Sequence, residues 1–204
     1  MTKSFKAGLL IVTLVIPAFV FAFLQFFGTN HYNLPYFVPE RNEGGQVVMS
    51  KGDTVFRKLN VISLNNNLSS FELAGKLTVV HFLPQTCEDS CELVLAQLER
   101  IAVLENAIPE LNLLTLTYSQ ENSDRIREKA DVAGWHTLRG SEQDITSWLS
   151  SNVQDAEMPE KKLVLFDYQG YVRGLYNALD AAEIDRLMAE IKILNYEKRK
   201  KQEE

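Results

Sequence analysis

The chain has 204 residues, 46% of them hydrophobic and 24% charged, with a formal net charge of -6. That is enough material for one domain with a core plus an appendage, and the acidic balance excludes a nucleic-acid binder, which needs a basic face for phosphates. Cys87 and Cys91 are the only cysteines, so any thiol chemistry runs through them.

Residues 1–6 form a short N-terminus carrying Lys3 and Lys6. Residues 7–27 (AGLLIVTLVIPAFVFAFLQFF) then run without a charge for the ~20 residues that a helix needs to cross a bilayer. A transmembrane helix is expected there, with Pro17 tolerated because lipid-embedded helices re-satisfy the freed backbone groups locally. The two lysines precede the run and no basic cluster follows it closely. Positive-inside bias therefore places the N-terminus in the cytoplasm and the remainder in the periplasm, on the cell inner membrane. A cleaved signal peptide is the competing reading, which calls for a shorter apolar region and a small-x-small cleavage site. No cysteine follows the run, so a lipidated N-terminus is not expected.

Residues 28–52 mix aromatics with Pro, Asn and Gly without periodicity and read as a tether, with Tyr32, Tyr36 and Phe37 suited to lipid headgroups. Residues 53–196 are expected to form the folded domain. Val55 to Leu64 reads as a first strand closed by Asn65-Asn66-Asn67, and Leu77 to Leu83, bounded by Gly75 and Pro84, as a central strand buried on both faces. From Ser90 to Asn106 the spacing of Cys91, Val94, Leu95, Leu98, Ile101 and Ala102 predicts a helix with one apolar stripe. A strand at Leu111 to Tyr118 follows, then a helix capped by Ser123, a short strand from Trp135 to Leu138, and a helix from Ser141 to Ser150.

Leu163 to Asp167, the turn Tyr168-Gln169-Gly170, and Tyr171 to Tyr176 read as a hairpin, after which Asp180 caps a final helix. Strands separated by helices imply an α/β domain, a mixed central sheet flanked by helices on both faces. Residues 197–204 read as a charged, solvated tail.

The cysteines sit where a strand gives way to a helix. At i and i+4 two side chains share a helix face, and a thiol at a helix N-terminus feels a field favouring thiolate. Cys91 falls on the inward stripe and Cys87 at the more exposed entrance, an arrangement of thioredoxin type. Glu88, Asp89 and Glu92 oppose a further negative charge and work against the dipole. A structural disulfide is the bland alternative, although so short a loop removes little unfolded-state entropy. As metal ligands two thiolates are soft and suit Cu(I).

Several pieces, in order and spacing, resemble the Sco/SenC family: Gly75-Lys76 before an apolar strand, Thr86-Cys87-x-x-x-Cys91, Trp135-x-x-Leu138-x-Gly140, Leu163-Val-Leu-Phe-Asp167, and Gly170-Tyr-Val-Arg173-Gly174. The resemblance implies a thioredoxin-like fold behind one N-terminal transmembrane helix. It also implies copper as cargo and a partner subunit of cytochrome c oxidase carrying the CuA site, or another extracytoplasmic thiol protein. The family's proline after each cysteine is replaced by Glu88 and Glu92, and its Asp-Pro after the third strand by Ser119-Gln120. Its ligand histidine falls on Pro159, and no histidine follows His136.

Met158, beside the lost ligand position, is a thioether candidate for Cu(I), and His81 lies in the strand leading to Cys87. The metal expectation is thus Cu(I) on Cys87 and Cys91, with Met158 as a further ligand. Pro159 carries a second, weaker thought, a cis proline facing the cysteines as in thioredoxin-like oxidoreductases. Three functions remain open: copper delivery or thiol reduction in oxidase assembly, a tethered thiol-disulfide oxidoreductase in which Cys87 attacks and Cys91 resolves, and a non-catalytic domain with a structural disulfide.

Overall fold

Apolar alternation and helical stripes organise the chain into the elements of this computed structural model, which describes residues 3–27, 34–64, 69–83, 89–129, 134–153 and 162–203. In chain order these are α1 (Lys3–Phe27), β1 (Met49–Ser50), β2 (Asp53–Thr54), β3 (Val61–Leu64), β4 (Ser69–Glu72), β5 (Leu77–Leu83), α2 (Asp89–Ala102) and a 3-10 turn (Val103–Asn106). Then follow β6 (Leu111–Thr117), α3 (Gln120–Lys129), β7 (Trp135–Arg139), α4 (Glu142–Asn152), β8 (Lys162–Phe166), β9 (Val172–Asn177) and α5 (Ala181–Glu203). The chain divides into two units, Met1–Asn33 and Leu34–Glu204.

In the first unit α1 is helical through the apolar run, and Ile11, Leu14, Phe19 and Phe21 on it are exposed. Among the described residues no helix is long and apolar enough to cross a membrane.

In the second unit β5 occupies the middle of a five-stranded sheet of order β7-β6-β5-β8-β9. It pairs parallel with β6, which pairs parallel with β7, while β8 is antiparallel to both β5 and β9. The parallel pairs require crossovers, supplied by α2 and α3, and the antiparallel pair β8–β9 needs only a tight turn. Side-chain alternation sends Leu77, Val79 and Leu83 of β5 to one face, against the α2 stripe and against Ile184, Leu187, Ile191 and Leu194 of α5. Val80 points to the other, where Ile145, Trp148 and Leu149 of α4 pack with Ile62, Leu64, Phe71 and Leu73 from the β3–β4 region. Each fully buried Leu or Ile contributes about 1.5–3 kcal/mol relative to exposure, so both layers are stabilised chiefly by burial. This is the expected mixed α/β architecture.

The Asp180 cap assignment holds, and the structure adds one at Ser141. Ser141 Oγ accepts from Asp144 N at 3.1 Å while Asp144 reaches back to Ser141 N at 3.3 Å, a capping box, and Asp180 Oδ1 accepts from Ala182 N at 2.9 Å. The Ser123 cap is corrected, because the helix has already begun at Gln120 and Ser119 Oγ accepts from Asn122 N at 3.3 Å. The single strand expected over Val55 to Leu64 is corrected to β3, preceded by isolated bridges of Phe56 to Pro39 and Lys58 to Tyr171. The strand β4, which the sequence reading left out, pairs with β3.

The tether is corrected in its later part. From Leu34 the chain belongs to the folded unit, Val38 is buried, and Phe37 N donates to Val172 O at 2.9 Å. At the other end α5 runs on to Glu203, with Arg199, Lys200, Lys201 and Gln202 exposed.

A buried ion pair joins these late-sequence elements to that early strap. Arg173 Nη1 donates to Asp167 Oδ2 at 2.9 Å, with both side chains about 7% exposed. Asp167 Oδ1 also accepts from Gln169 N at 2.9 Å and Tyr171 N at 3.0 Å, which closes the β8–β9 turn. The remaining guanidinium donors reach Pro35 O at 3.1 Å and Leu34 O at 2.7 Å, and the guanidinium carbon lies 4.1 Å from the Tyr36 ring centre. Gly170 in this turn has a φ of 87°, and a Cβ there would meet Leu59 O at 1.8 Å.

Removing one partner of such a pair strands a buried charge. Arg173→Met is expected to cost about 3–5 kcal/mol in urea unfolding, whereas a loss under about 1 kcal/mol would contradict this role for the pair.

Candidate functional site

The central strand delivers the chain to the site. β5 ends at Leu83, and α2 begins at Asp89 with Cys91 in its first turn. The stripe Cys91, Val94, Leu95, Leu98 and Ile101 is buried as the spacing predicts, with Cys91 only 7% exposed among Leu83, Val94 and Leu95 of the same layer. Cys91 is disulfide-bonded. One other cysteine exists in the chain, Cys87, which lies outside the described residues, as do Glu88, Met158, Pro159 and His31. On the outward side of the same turn Glu92 and Leu93 are exposed.

The chemistry follows from that burial. A disulfide carries no thiolate, so it takes two electrons and two protons to become a dithiol. Cys91 is shielded from solvent by the packing of α2.

The histidines are placed very differently. His81 on β5 is buried, at 2% exposure, and its Cα partners are Thr115 on β6 and Leu163 on β8. By alternation with Val79 and Leu83 it faces the layer that holds α2, and so shares that layer with Cys91. His136 belongs to the β7 edge. Its Nε2 lies 3.0 Å from Asn112 Oδ1 and its ring 5.2 Å from that of Phe71. Burial first, then the nearby Lys76 charge, lowers its pKa, which keeps the imidazole neutral and structural.

Among the described residues no group of three or more His, Cys, Asp and Glu side chains is arranged to hold a metal ion. The donor set that fits Cu(I) is the cysteine pair after reduction, because Cu(I) accepts soft sulfur ligands at low coordination number.

Sequence reasoning overlooked a polar seam in this layer. Trp135 Nε1 donates to Thr115 Oγ1 at 3.0 Å, and Ser119 N donates to Thr117 Oγ1 at 3.2 Å, with both threonines buried. Threonines at alternate positions of a leucine-rich strand were the available signal.

The other quoted motifs support the frame. Gly75 has a φ of 79°, and Lys76 Nζ lies 4.6 Å from the Phe71 ring centre. A Cβ on Gly140 would meet Leu64 Cδ1 at 3.0 Å, and one on Gly174 would meet the Tyr176 hydroxyl at 2.0 Å. Of all the motif residues, the cysteines are the ones that carry chemistry.

No protein-family model matches the sequence, nor does any curated protein. Solved structures do match. A SCO1/SenC family lipoprotein from Bacillus anthracis superposes with a TM-score of 0.53 at 20% identity, over 68% of this chain and 98% of that one. BsSco, described as a member of the Sco family of cytochrome c oxidase assembly proteins with a disulfide switch, gives a TM-score of 0.50 at 17% identity, over 80% and 93%. Apo Sco1 from Thermus thermophilus gives 0.50 at 17%, over 67% and 91%. The class defined is thus a mixed α/β domain of thioredoxin-like type. Within it, the fold is that of Sco proteins.

The burial of Cys91 has a direct readout. Without reductant, the native chain takes up no thiol-alkylating reagent. After reduction, Cys91 is expected to react roughly tenfold or more slowly in the folded than in the urea-unfolded chain. Equal rates would contradict its inner placement.

Proposed function

We propose that this protein is a membrane-anchored Sco-like factor whose Cys87–Cys91 pair, once reduced, takes up Cu(I) or passes its electrons to a partner's cysteines during assembly of the CuA site of cytochrome c oxidase. One observation carries this reading: a disulfide-bonded cysteine in the first turn of the helix that follows the central strand of a Sco-like sheet. Reduction by an extracytoplasmic dithiol transfers two electrons and two protons to the disulfide. Cu(I) binding then releases both protons and leaves the ion between two thiolates. Alternatively the dithiol attacks a disulfide on the oxidase subunit, and the pair returns to its oxidised form as the partner is reduced.

Met158 is the proposed third ligand, a thioether in keeping with Cu(I) and not with Cu(II). Membrane anchoring is supported by the uncharged run at residues 7–27, by helicity from Lys3 to Phe27, and by Lys3 and Lys6 ahead of it. The proposed location is the inner membrane, with the folded unit in the periplasm.

A second reading, a tethered thiol-disulfide oxidoreductase without copper, is favoured by the disulfide together with the lack of any histidine after His136. The two separate in an anaerobic Cu(I) titration of the reduced full chain against a chromophoric chelator. Stoichiometric competition that disappears in Cys87→Ser, Cys91→Ser is the expected result. Failure of the native chain to compete would retire copper and leave thiol exchange.

A further inference from the structure

The central strand β5 is apolar apart from Thr78 and His81, and His81 is its one ionisable side chain. At 2% exposure it is buried in the middle of the sheet, with Thr115 and Leu163 as its Cα partners. Burying an imidazole among leucines and valines costs stability that a Phe or Leu there would not. A strand that breaks its own burial pattern just before a reactive pair points to a role for the exception.

The polar neighbours on that face serve the frame. Thr115 Oγ1 accepts from Trp135 Nε1 at 3.0 Å, Thr117 Oγ1 accepts from Ser119 N at 3.2 Å, and the Tyr176 hydroxyl donates to Glu190 Oε2 at 2.5 Å. His81 instead stands under the start of α2. That helix joins two parallel strands, so it runs back along β5 from the Leu83 end, with Cys91 in its first turn and in the same layer as Leu83. His81 is two residues back on the same face, about 6.6 Å along the strand. One helical turn returns about 5.4 Å in the same direction. The imidazole therefore falls beneath the first two turns of α2, which carry Cys91 and Leu95.

Reduction changes what Cys91 requires. Its sulfur carries no hydrogen in the disulfide, and in the dithiol it carries an S–H, a weak donor set in an apolar layer. A neutral imidazole offers one acceptor and one donor nitrogen, and so has a place for the thiol hydrogen. We propose that His81 is a positioning residue of the redox pair, holding the Cys91 thiol by a hydrogen bond that exists in the reduced state and not in the disulfide; this rests on the working redox pair of the reading above. The bond stabilises the dithiol and so raises the reduction potential.

The test equilibrates the full chain, His81→Phe and His81→Gln with graded dithiothreitol buffers, in which each dithiothreitol that closes to its cyclic disulfide delivers two electrons and two protons to the protein. His81→Phe is expected to lower the equilibrium constant for reduction about fivefold, a fall of about 20 mV. His81→Gln, whose amide keeps a donor and an acceptor, is expected to stay within about twofold of the native chain. In the native chain the ring-nitrogen NMR signals of His81 are expected to move on reduction while those of His136, in the other layer, hold still. That reading needs no substitution, so a variant that fails to fold leaves the test standing.

An unchanged constant in His81→Phe would overturn the proposal, as would His81 signals that do not move. So would an equal shift in both variants, which would mark packing rather than a hydrogen bond. A native potential below about -300 mV retires the working pair, and the ratio between variants still decides the role of His81.

Discussion

The buried pair of Asp167 and Arg173 is the constraint on which the rest of the folded unit depends. Removing two charges from water is costly, and the pair repays that cost only because nearly every polar atom around it is satisfied. Asp167 closes the β8–β9 turn through two backbone N–H groups, while Arg173 grips the carbonyls of Leu34 and Pro35. One interaction therefore seats the hairpin and ties down the start of the unit. Gly170 and Gly174 follow from it, since each stands where a side chain would collide with Leu59 or with Tyr176.

With β8 seated, β5 acquires an antiparallel neighbour on one side and the parallel β6 on the other, and is buried on both faces. The chain leaves β5 and turns into α2, whose apolar stripe leaves one orientation for the helix. Cys91 belongs to that stripe, so the packing that holds the helix also holds one sulfur inside. In the proposed exchange chemistry the buried Cys91 is kept for resolution. In the copper reading proposed above, the disulfide makes Cu(I) loading depend on prior reduction.

Much of this frame was legible in the sequence. The runs at Leu77, Leu111 and Leu163, and the stripe from Cys91 to Ala102, carry periodicities that local physics reads directly. The short strands β1, β2 and β4 were not legible, because two to four residues give no period. The strap at Leu34 was taken for tether for a related reason: its partner, Arg173, is 139 positions away and no local signal marks it. The helical end of α5 was masked by its charge, which resembles a solvated tail until packing against Glu110 and Tyr168 holds it in helix.

The cysteine pair was the most legible part of the site, and its inner member stands where the stripe predicts. The measurement closest to the central claim is the reduction potential of the Cys87–Cys91 disulfide in the full chain, equilibrated with thiol buffers and read by alkylation. A pair that works in exchange or copper loading comes to equilibrium above about -300 mV. A potential below that value would mark a structural bridge and contradict a working redox pair.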